Sequence, residues 1–527
     1  MKALTGVGPL LRFVLRRDRI YLPVWILALT ATVYASIAAV RRTYDTPAEI
    51  LSYAKNVGGS PASVAMAGPP VALEQVGGIL IYETSLTALI GVALMAVFTV
   101  MRHTRREEDA GRVELLGSTV VSRHAVVTAA AIVSGLASVL VGAGVAASFV
   151  AEQQPLRESV LYGASIAAMG VVFTAVAAVA AQLMSHGRGA VGLSLAVLAL
   201  AYGLRAVGDT QENFLSWLSP MGWSQQVRVY DDNRWWPLAL SVLLSVVLMG
   251  AAVALESRRD LGSGVFPARP GPAEARPRLG TVVGLSWRLQ RGSILGWSVG
   301  LFAIGLLYGS FSRSIENMIE DNPELEQYFA QTGASSIVEA FFATAMLLMA
   351  IAASGFAVSS ALRTRAEESA DRLESVLATA VSRPRWLLGS LLVTLLGTAV
   401  VVGVSGLGIG ISYAATAGES ADVLRMTGYA LAYLPAPLLL AALAVLLVGW
   451  LPRASGAAWA ALALVFVIGW LGDLLELPTW VDDISPFSHL PAAPAEELQL
   501  LPAAVLSALV LGTVLLGGVG FRRRDIG

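Results

Sequence analysis

Cysteine is absent from this chain of 527 residues, and charged residues are scarce. The lack of cysteine excludes disulfide bonds, iron–sulfur clusters and thiolate metal sites. The four histidines are too scattered to predict a histidine metal centre. Charged residues make up 14% of the chain, whereas about 25% is usual in soluble proteins. The chain therefore lacks the charge that a water-soluble protein of this size needs at its surface.

Apolar residues are abundant and occur in blocks of about twenty, the length at which a helix spans a bilayer. They make up 56% of the sequence, and the mean hydropathy is +0.68. The pattern predicts an all-α polytopic membrane protein with about twelve transmembrane helices. The predicted spans lie near residues 20–40, 78–101, 125–150, 159–184, 189–207, 237–255, 293–312, 337–361, 386–415, 424–450, 455–475 and 500–520.

A polar segment rich in proline and arginine separates the first six spans from the last six. We therefore predict a first six-span half at residues 1–256, a cytoplasmic linker at 257–283 and a second six-span half at 284–527. An even number of spans in each half means that both halves enter the membrane in the same direction. The expected fold is a fused pseudo-dimer of two parallel six-helix repeats.

The distribution of basic residues predicts the orientation in the membrane. Only Lys2 and Lys55 are lysines, and this excess of arginine, with abundant alanine, valine and glycine, favours a GC-rich bacterial source. If the N-terminus is cytoplasmic, 27 of the 36 Lys and Arg residues fall in cytoplasmic segments, as the positive-inside rule requires. We expect a multi-pass protein of a bacterial plasma membrane with both termini in the cytoplasm.

A short loop between the second and third spans of each half forms the strongest internal repeat. Residues 104–123 (TRREEDAGRVELLGSTVVSR) and 364–383 (TRAEESADRLESVLATAVSR) are identical at eleven of twenty positions, at an offset of 260. The spacing of charged and apolar residues predicts an amphipathic helix near 105–117 and another near 365–377. A salt-bridged helix that only links two spans would explain one copy. Two copies favour docking onto a two-fold symmetric soluble partner.

The chain carries no phosphate-binding P-loop of its own. That motif needs a lysine followed by serine or threonine, whereas Ala3 follows Lys2 and Asn56 follows Lys55. No catalytic triad, paired-carboxylate site or cluster of metal ligands stands out. We therefore predict a transport subunit without enzymatic activity, with no catalytic residue and no cofactor or metal on this chain.

Two six-span halves that each carry an REE…R.E…VSR-like loop after the second span resemble the ABC type 2 exporter permeases. The fused twelve-span form is similar to the tetronasin-resistance permeases and to mycobacterial multidrug efflux permeases. The resemblance implies an ATP-driven exporter of lipophilic drugs, antibiotics or ionophores. It implies a separately encoded ATP-binding ABC subunit, in two copies per chain, that binds ATP and Mg²⁺. No nucleic acid is expected as a partner.

The resemblance also assigns roles to segments of this chain. The two loop helices become coupling helices, and the basic stretches 10–19 and 285–291 become interfacial connecting helices. Ser375 stands where the first copy has Leu115, so the two docking sites need not be equivalent. The residues expected at the contact with the ATPase are Arg105, Glu107, Glu108, Arg112, Glu114, Arg365, Glu367, Glu368, Arg372 and Glu374.

The second spans, which line the central axis in such permeases, carry two acidic residues, Glu83 and Glu339. An ionisable group within a span is costly and marks a functional candidate. The alternative is that such a group, near a helix end, lies at the membrane–water interface and has no further role. Arg205 is a candidate to neutralise one of these acids. The apolar neighbours suit a lipophilic substrate and equally suit helix packing. The predicted substrate pathway comprises Tyr82, Glu83, Phe98, Glu339, Phe341, Phe342 and Met346.

Three other functions remain open. A secondary transporter driven by an ion gradient also uses two parallel halves, but it needs an ionisable residue near the bilayer midplane. An ABC permease for lipid export or signalling shares every feature described above. A membrane-bound enzyme is disfavoured because the chemistry-bearing residues do not cluster.

Overall fold

A computed structural model describes residues 5–44, 46–58, 61–117, 120–260, 262–266, 274, 277–310, 337–417, 422–471 and 478–524. The chain forms two compact units, residues 1–271 and 272–527, whose boundary lies within the segment predicted as a linker. The described residues are overwhelmingly helical, with one isolated β-bridge between Met184 and Phe266. The predicted all-α polytopic membrane fold is confirmed.

The first unit contains six long apolar helices, which match the six predicted spans of the first half, and several short helices that connect them. The long helices begin and end within a few residues of the predicted boundaries. In chain order, the helices are α1 (Val7–Arg17), α2 (Tyr21–Thr43), α3 (Pro47–Gly58), α4 (Pro61–Ala67), α5 (Val76–His103), α6 (Arg105–Asp109), α7 (Arg112–Gly117), α8 (Ala125–Ala151), α9 (Leu156–Leu183), α10 (Gly187–Thr210), α11 (Pro220–Gln225) and α12 (Trp236–Arg258).

The second unit repeats much of this order, with longer first and third apolar helices. Its helices are α13 (Val282–Ser310), α14 (Ile337–Ala361), α15 (Arg363–Glu368), α16 (Arg372–Leu377), α17 (Arg383–Ala417), α18 (Asp422–Ala432), α19 (Pro435–Trp450), α20 (Ala457–Leu471), α21 (Thr479–Asp482) and α22 (Leu500–Arg523).

Eleven helical segments within the described ranges are long and apolar enough to cross a membrane. The remaining predicted span, near 455–475, corresponds to α20, which has 15 residues. At 1.5 Å per residue such a helix covers roughly 22 Å, less than the roughly 30 Å of a hydrocarbon core. The last part of that predicted span, residues 472–475, lies outside the described residues.

The predicted span 424–450 consists of two helices. α18 ends at Ala432 and α19 begins at Pro435. Proline has no N–H to donate within a helix, and its ring clashes with the carbonyl four residues earlier. Between the two helices the backbone tightens, because Tyr433 and Leu434 donate to the carbonyls of Ala430 and Leu431, three residues back. The break therefore follows from Pro435.

The two predicted connecting helices differ in form. α1 is separate from the first span, because a turn at residues 18–20 interrupts the chain. In that turn the buried Asp18 carboxylate lies 2.9 Å from Arg102 Nε and 2.5 Å from His103 Nε2, at the end of α5. In the second unit, residues 285–291 are continuous with the span inside α13, and not a separate surface helix.

Close helix packing within the first unit depends on two glycines. A Cβ atom on Gly142 of α8 would lie 2.3 Å from the carbonyl oxygen of Gly163 on α9, and a Cβ on Gly163 would meet Gly142 in the same way. No other residue type fits at this contact without moving a backbone. Small residues of this kind let membrane helices approach closely enough to pack without a hydrophobic driving force between them.

Candidate coupling site

The duplicated loop, residues 104–123 in the first unit and 364–383 in the second, lies directly after the second long helix of each unit. We call the end of the spans at which this loop lies the loop end. Each predicted coupling helix is in fact a pair of short helices: α6 and α7 in the first unit, α15 and α16 in the second. The prediction of one helix over 105–117 and one over 365–377 is therefore corrected. Gly111 and Asp371, at the offset of 260, break the two helices with left-handed φ angles of 69° and 55°.

One ion pair recurs on the exposed side of both loops. Glu107 Oε2 accepts from Arg112 Nε at 2.7 Å, and Glu367 Oε2 accepts from Arg372 Nε at 2.6 Å. Each hydrogen bond raises the pKa of its arginine above the usual value. Because each pair bridges the break between two short helices, it holds the turn closed. Arg17 of α1 adds a second contact to Glu107 at 2.6 Å.

A second carboxylate of the first loop is buried among arginines. Glu108 Oε1 and Oε2 accept from Arg259 Nη1 and Nη2 at 2.6 and 3.0 Å, in a bidentate arrangement. Arg105 Nη1 lies 2.6 Å from Glu108 Oε2, and the backbone N–H of Gly262 donates to Oε1 at 2.7 Å. Arg259 follows the last residue of α12, so this carboxylate joins the loop to the end of the last span of the unit.

The second loop repeats this arrangement. Glu368 Oε1 and Oε2 accept from Arg524 Nη1 and Nη2 at 2.7 and 2.5 Å. Arg365 Nη1 lies 3.2 Å from Glu368 Oε1. Arg524 follows the last residue of α22, as Arg259 follows α12. We call these two networks the loop clamps: Glu108 with Arg105 and Arg259, and Glu368 with Arg365 and Arg524.

The last arginine of each duplicated loop also reaches the last span. Arg123 Nη1 and Nη2 donate to the carbonyls of Ser257 and Arg259 at 3.2 and 2.7 Å. Arg383 Nη1 donates to the carbonyls of Arg522 and Arg524 at 3.3 and 2.7 Å. Carbonyls at the C-terminal end of a helix lack intrahelical donors and attract cations. The final arginine of the loop motif is therefore a cap for the last span.

These contacts change the assignment of the predicted coupling residues. Glu107, Glu108, Glu367 and Glu368 were expected to face an ATPase, but all four are paired within their own unit. The arginines of the motif pair with these glutamates and hold each loop together. The exposed side chains of the loops include Arg106 on α6, Ala110 at the break and Glu114 on α7 in the first unit, and Ala366 on α15, Ala370 at the break and Glu374 on α16 in the second.

Sequence patterns missed Arg259 and Arg524, which lie 151 and 156 residues from their glutamates. A signal was present, since each half ends its last apolar run in a cluster of arginines, SRRD and FRRRD. The offset between the two arginines is 265, and not the 260 of the loops, so a comparison at one fixed offset does not align them.

The predicted substrate-pathway residues of the first unit lie around α5. The Tyr82 ring is buried and borders a cavity of about 40 Å³, too small for a drug-sized molecule. Glu83 is exposed and accepts a hydrogen bond from Tyr53 of α3. Phe98 packs against Trp25, with ring centroids 6.3 Å apart. Tyr53 is thus a partner of Glu83 that sequence patterns did not reveal.

Arg205 does not neutralise Glu83 in the first unit. Its Nη1 and Nη2 donate to the carbonyls of Val64 and Met66 at 3.2 and 3.0 Å, at the end of α4. Its Nε lies 3.9 Å from Asp209 Oδ2, one turn along α10. The guanidinium therefore fastens α4 to α10 at the end opposite the loops.

The predicted pathway residues of the second unit lie on α14. Phe342 and Met346 are buried in the core, and Phe342 packs edge-on against Tyr413 at 5.1 Å. Phe341 packs against Tyr308 at 5.7 Å, and Glu339 is partly exposed near the start of the helix. Helix packing accounts for the contacts of these aromatic residues. A substrate role for the seven residues stays a prediction.

Metal ligands do not converge in the part of the chain that the structure describes: no three His, Asp or Glu side chains come together there. The geometry instead defines a class of protein, a polytopic α-helical membrane protein. Each of its two units carries a charged loop fastened to its own last span.

Comparison with known proteins gives the family. Residues 279–522 match the family described as the C-terminal domain of the multidrug efflux system permease Rv1217c. Over 527 residues, 99% of this chain and 95% of the relative, the sequence is 40% identical to the multidrug efflux system permease protein Rv1217c of Mycobacterium tuberculosis. The chain belongs to this family of multidrug efflux permeases, which confirms the resemblance to ABC-type exporter permeases.

Proposed function

We propose that this protein is the membrane-spanning permease of an ATP-driven exporter, and that a separately encoded ATPase drives it through the two duplicated loops. The observation that carries the proposal is the charged loop present at the same place in both units. Its backbone break recurs at an offset of 260 residues, and so do two carboxylate–arginine pairs within the loop: Glu107–Arg112 and Glu108–Arg105 in the first unit, Glu367–Arg372 and Glu368–Arg365 in the second. A pair of similar docking elements suits a partner that binds as two copies.

Membership of the family supports the transport role, because the relative is named a multidrug efflux permease. The cargo that we propose is a lipophilic drug, antibiotic or ionophore. We propose that the loop end faces the cytoplasm, since 27 of the 36 Lys and Arg residues then lie on that side, as the positive-inside rule requires. ATP and Mg²⁺ belong to the partner, which closes on nucleotide and rocks the two halves between inward-facing and outward-facing states.

Internal pairing narrows the surface that meets the ATPase. Glu108 and Glu368 are buried in the loop clamps. Reversing their charge would destabilise the fold of the loop, and would therefore not test docking separately. Glu114 and Glu374 are at equivalent positions, are exposed and lie on α7 and α16. We therefore assign docking to these two glutamates.

The test is the double variant Glu114→Lys/Glu374→Lys, expressed with the ATPase encoded beside the permease. We expect the ATPase to co-purify at two copies per wild-type chain and to be lost from the variant. Substrate-stimulated ATP hydrolysis in vesicles is expected to fall to the basal rate, because exposed charges of the wrong sign repel a complementary surface.

The matched control is Glu74→Lys/Glu497→Lys, which reverses two exposed acids at the opposite end of the spans. It makes the same change in net charge and is expected to leave the ATPase bound. Wild-type coupling in the Glu114→Lys/Glu374→Lys protein would remove the loops from the docking surface. Transport by the purified chain without nucleotide or a companion subunit would overturn the whole proposal.

A further inference from the structure

We propose that Arg259 and Arg524 are positioning residues that make each duplicated loop and the last span of its half move as one body. The inference rests on the proposed function, in which an ATPase displaces the loops, and it adds the route by which that displacement reaches the membrane. Without the clamps, a loop is joined by the chain only to the spans on either side of it.

The covalent route in the first unit is short. Only Thr104 separates α6 from the second span α5, and α7 leads on to the third span α8. Neither route includes α12, which lies far along the chain. The bidentate pair between Arg259 and Glu108 supplies that link at 2.6 and 3.0 Å, with both side chains 8% exposed.

The link extends to a further span. Arg259 Nε donates to Gln182 Oε1 of α9 at 2.6 Å, so one guanidinium contacts the loop, the fourth span and the end of the sixth. Arg105 donates to the carbonyls of Met184 and Ser263 at 2.8 and 2.6 Å, which closes the same region from the loop side. Displacement of α6 therefore pulls directly on α9 and α12.

The second unit makes the same link by a different register. Arg524 and Glu368 form the same bidentate pair as Arg259 and Glu108. The two arginines are 265 residues apart along the chain, whereas the two glutamates are 260 residues apart. The geometry therefore recurs in both halves although the spacing along the chain differs. Arg123 and Arg383, which cap the last spans, tie the far end of each loop to the same point.

Stability alone is a poor explanation for these pairs. Replacing a buried ion pair by apolar residues of similar volume is often neutral or stabilising, because desolvation of both charges offsets their attraction. A planar guanidinium on a carboxylate, however, fixes distance and orientation at once. A clamp that sets the position of the loop against the last span is the role that this geometry serves.

The absence of cysteine allows a direct measurement, because introduced cysteines are the sole labelling sites on this chain, which is labelled before the ATPase is added. We would place nitroxide labels at Ala110→Cys and Ala254→Cys in the first half, and at Ala370→Cys and Val519→Cys in the second. All four sites are exposed. Distances would be measured by pulsed electron resonance on the full chain with its ATPase in nanodiscs, without nucleotide and with ATP plus vanadate.

With intact clamps, we expect one narrow distance in each half that stays the same when ATP and vanadate are added. Arg259→Gln is expected to lose the narrow peak in the first half, and Arg524→Gln in the second. Arg259→Lys, which keeps the charge without the fork, is expected to be intermediate. The matched controls are the exposed neighbours Arg258→Gln and Arg523→Gln, which are expected to keep the wild-type distance.

A transport measurement separates positioning from mere folding. We expect Arg259→Gln to hydrolyse ATP with its bound ATPase while substrate moved per ATP falls about tenfold, within the usual range of coupling free energies. If Arg259→Gln does not fold, Arg524→Gln tests the same claim, because its clamp is more open to solvent at 15% exposure of the arginine.

Two results would overturn the proposal. One is a distance distribution in Arg259→Gln and Arg524→Gln that matches those of Arg258→Gln and Arg523→Gln. The other is a loop-to-span distance that changes on ATP binding in the wild-type protein. If the exposed-glutamate variant keeps its ATPase but Arg259→Gln still broadens the nucleotide-free distance, the docking proposal fails and the clamp remains.

Discussion

The two loop clamps share their central carboxylate and differ in how that carboxylate is enclosed. Glu108 is surrounded by Arg105, Arg259 and the backbone of Gly262, and Arg105 is 0% exposed. Glu368 is held by Arg524 and by Arg365, which is 31% exposed. The difference teaches that the duplicated motif specifies the acid–base pairing, while neighbouring segments decide how deeply the arginines of each pair are buried.

Those neighbouring segments can be named for the first unit. Residues 262–266 follow the last span and run beside the end of α9, with Val265 and Phe266 donating to the carbonyls of Gln182 and Leu183 at 3.0 Å. His124 Nδ1 lies 2.7 Å from Glu256 Oε2, which joins the start of α8 to α12. In the second unit, Pro384 follows Arg383 where His124 follows Arg123, so this contact has no equivalent.

The largest expected difference between the clamps is seen on removing Arg105 or Arg365. Arg105→Ala leaves Glu108 buried with one cation fewer and removes the donor to the Met184 carbonyl and one of the two donors to the Ser263 carbonyl. We expect it to lower the free energy of unfolding by about 3 kcal/mol. Arg365→Ala removes a partner that is 31% exposed, and is expected to cost about 1 kcal/mol. Denaturant unfolding in detergent measures both, and equal losses would contradict the comparison.

A smaller difference is expected at the break between the short helices. Gly111→Val forces a β-branched residue into the left-handed region and is expected to cost about 1–2 kcal/mol. The cost is strain alone, because a Cβ at Gly111 meets nothing within 4 Å. Asp371→Gly, the reciprocal change, relieves that strain and is expected to be neutral or slightly stabilising. A destabilised Asp371→Gly protein would show that the Asp371 side chain matters.

The smallest expected effect makes the first clamp resemble the second. Arg524 Nε is buried and has no hydrogen-bond partner among the described residues, whereas Arg259 Nε donates to Gln182. Gln182→Leu removes that acceptor and is expected to cost about 1 kcal/mol. The control is Gln154→Leu, at the other end of the spans, which also removes a hydrogen-bond acceptor, that of the Tyr230 hydroxyl. Only Gln182→Leu is expected to broaden the distance between α6 and α12.

Much of the fold follows from local pattern. The lengths of the apolar runs predict the spans, since a helix in lipid must satisfy its own backbone and needs about twenty residues to cross. Pattern also predicts helical loops, but it does not find the break at Gly111 and Asp371. A short amphipathic stretch has the same periodicity whether it forms one helix or two. In the second loop, an aspartate at the break gives no strong signal for a positive φ.

The sequence identifies the glutamates of the candidate site, but not the arginines at the ends of the last spans that pair with them. The repeat identifies Glu108 and Glu368, and their charge and helical position suggest an exposed face. Burial reverses that interpretation, because each carboxylate lies against an arginine from the end of a distant span. Periodicity describes which residues share a face of one helix, and it carries no information on what another helix brings to that face.

The amino-acid sequence by itself determined that this is a polytopic, duplicated membrane protein, because hydropathy and the loop repeat are properties of contiguous residues. The tertiary structure alone decided where the loop charges go. Arg259 and Arg524 meet Glu108 and Glu368 across 151 and 156 residues. Such a pairing depends on how six helices pack and bring the end of the last one beside the loop.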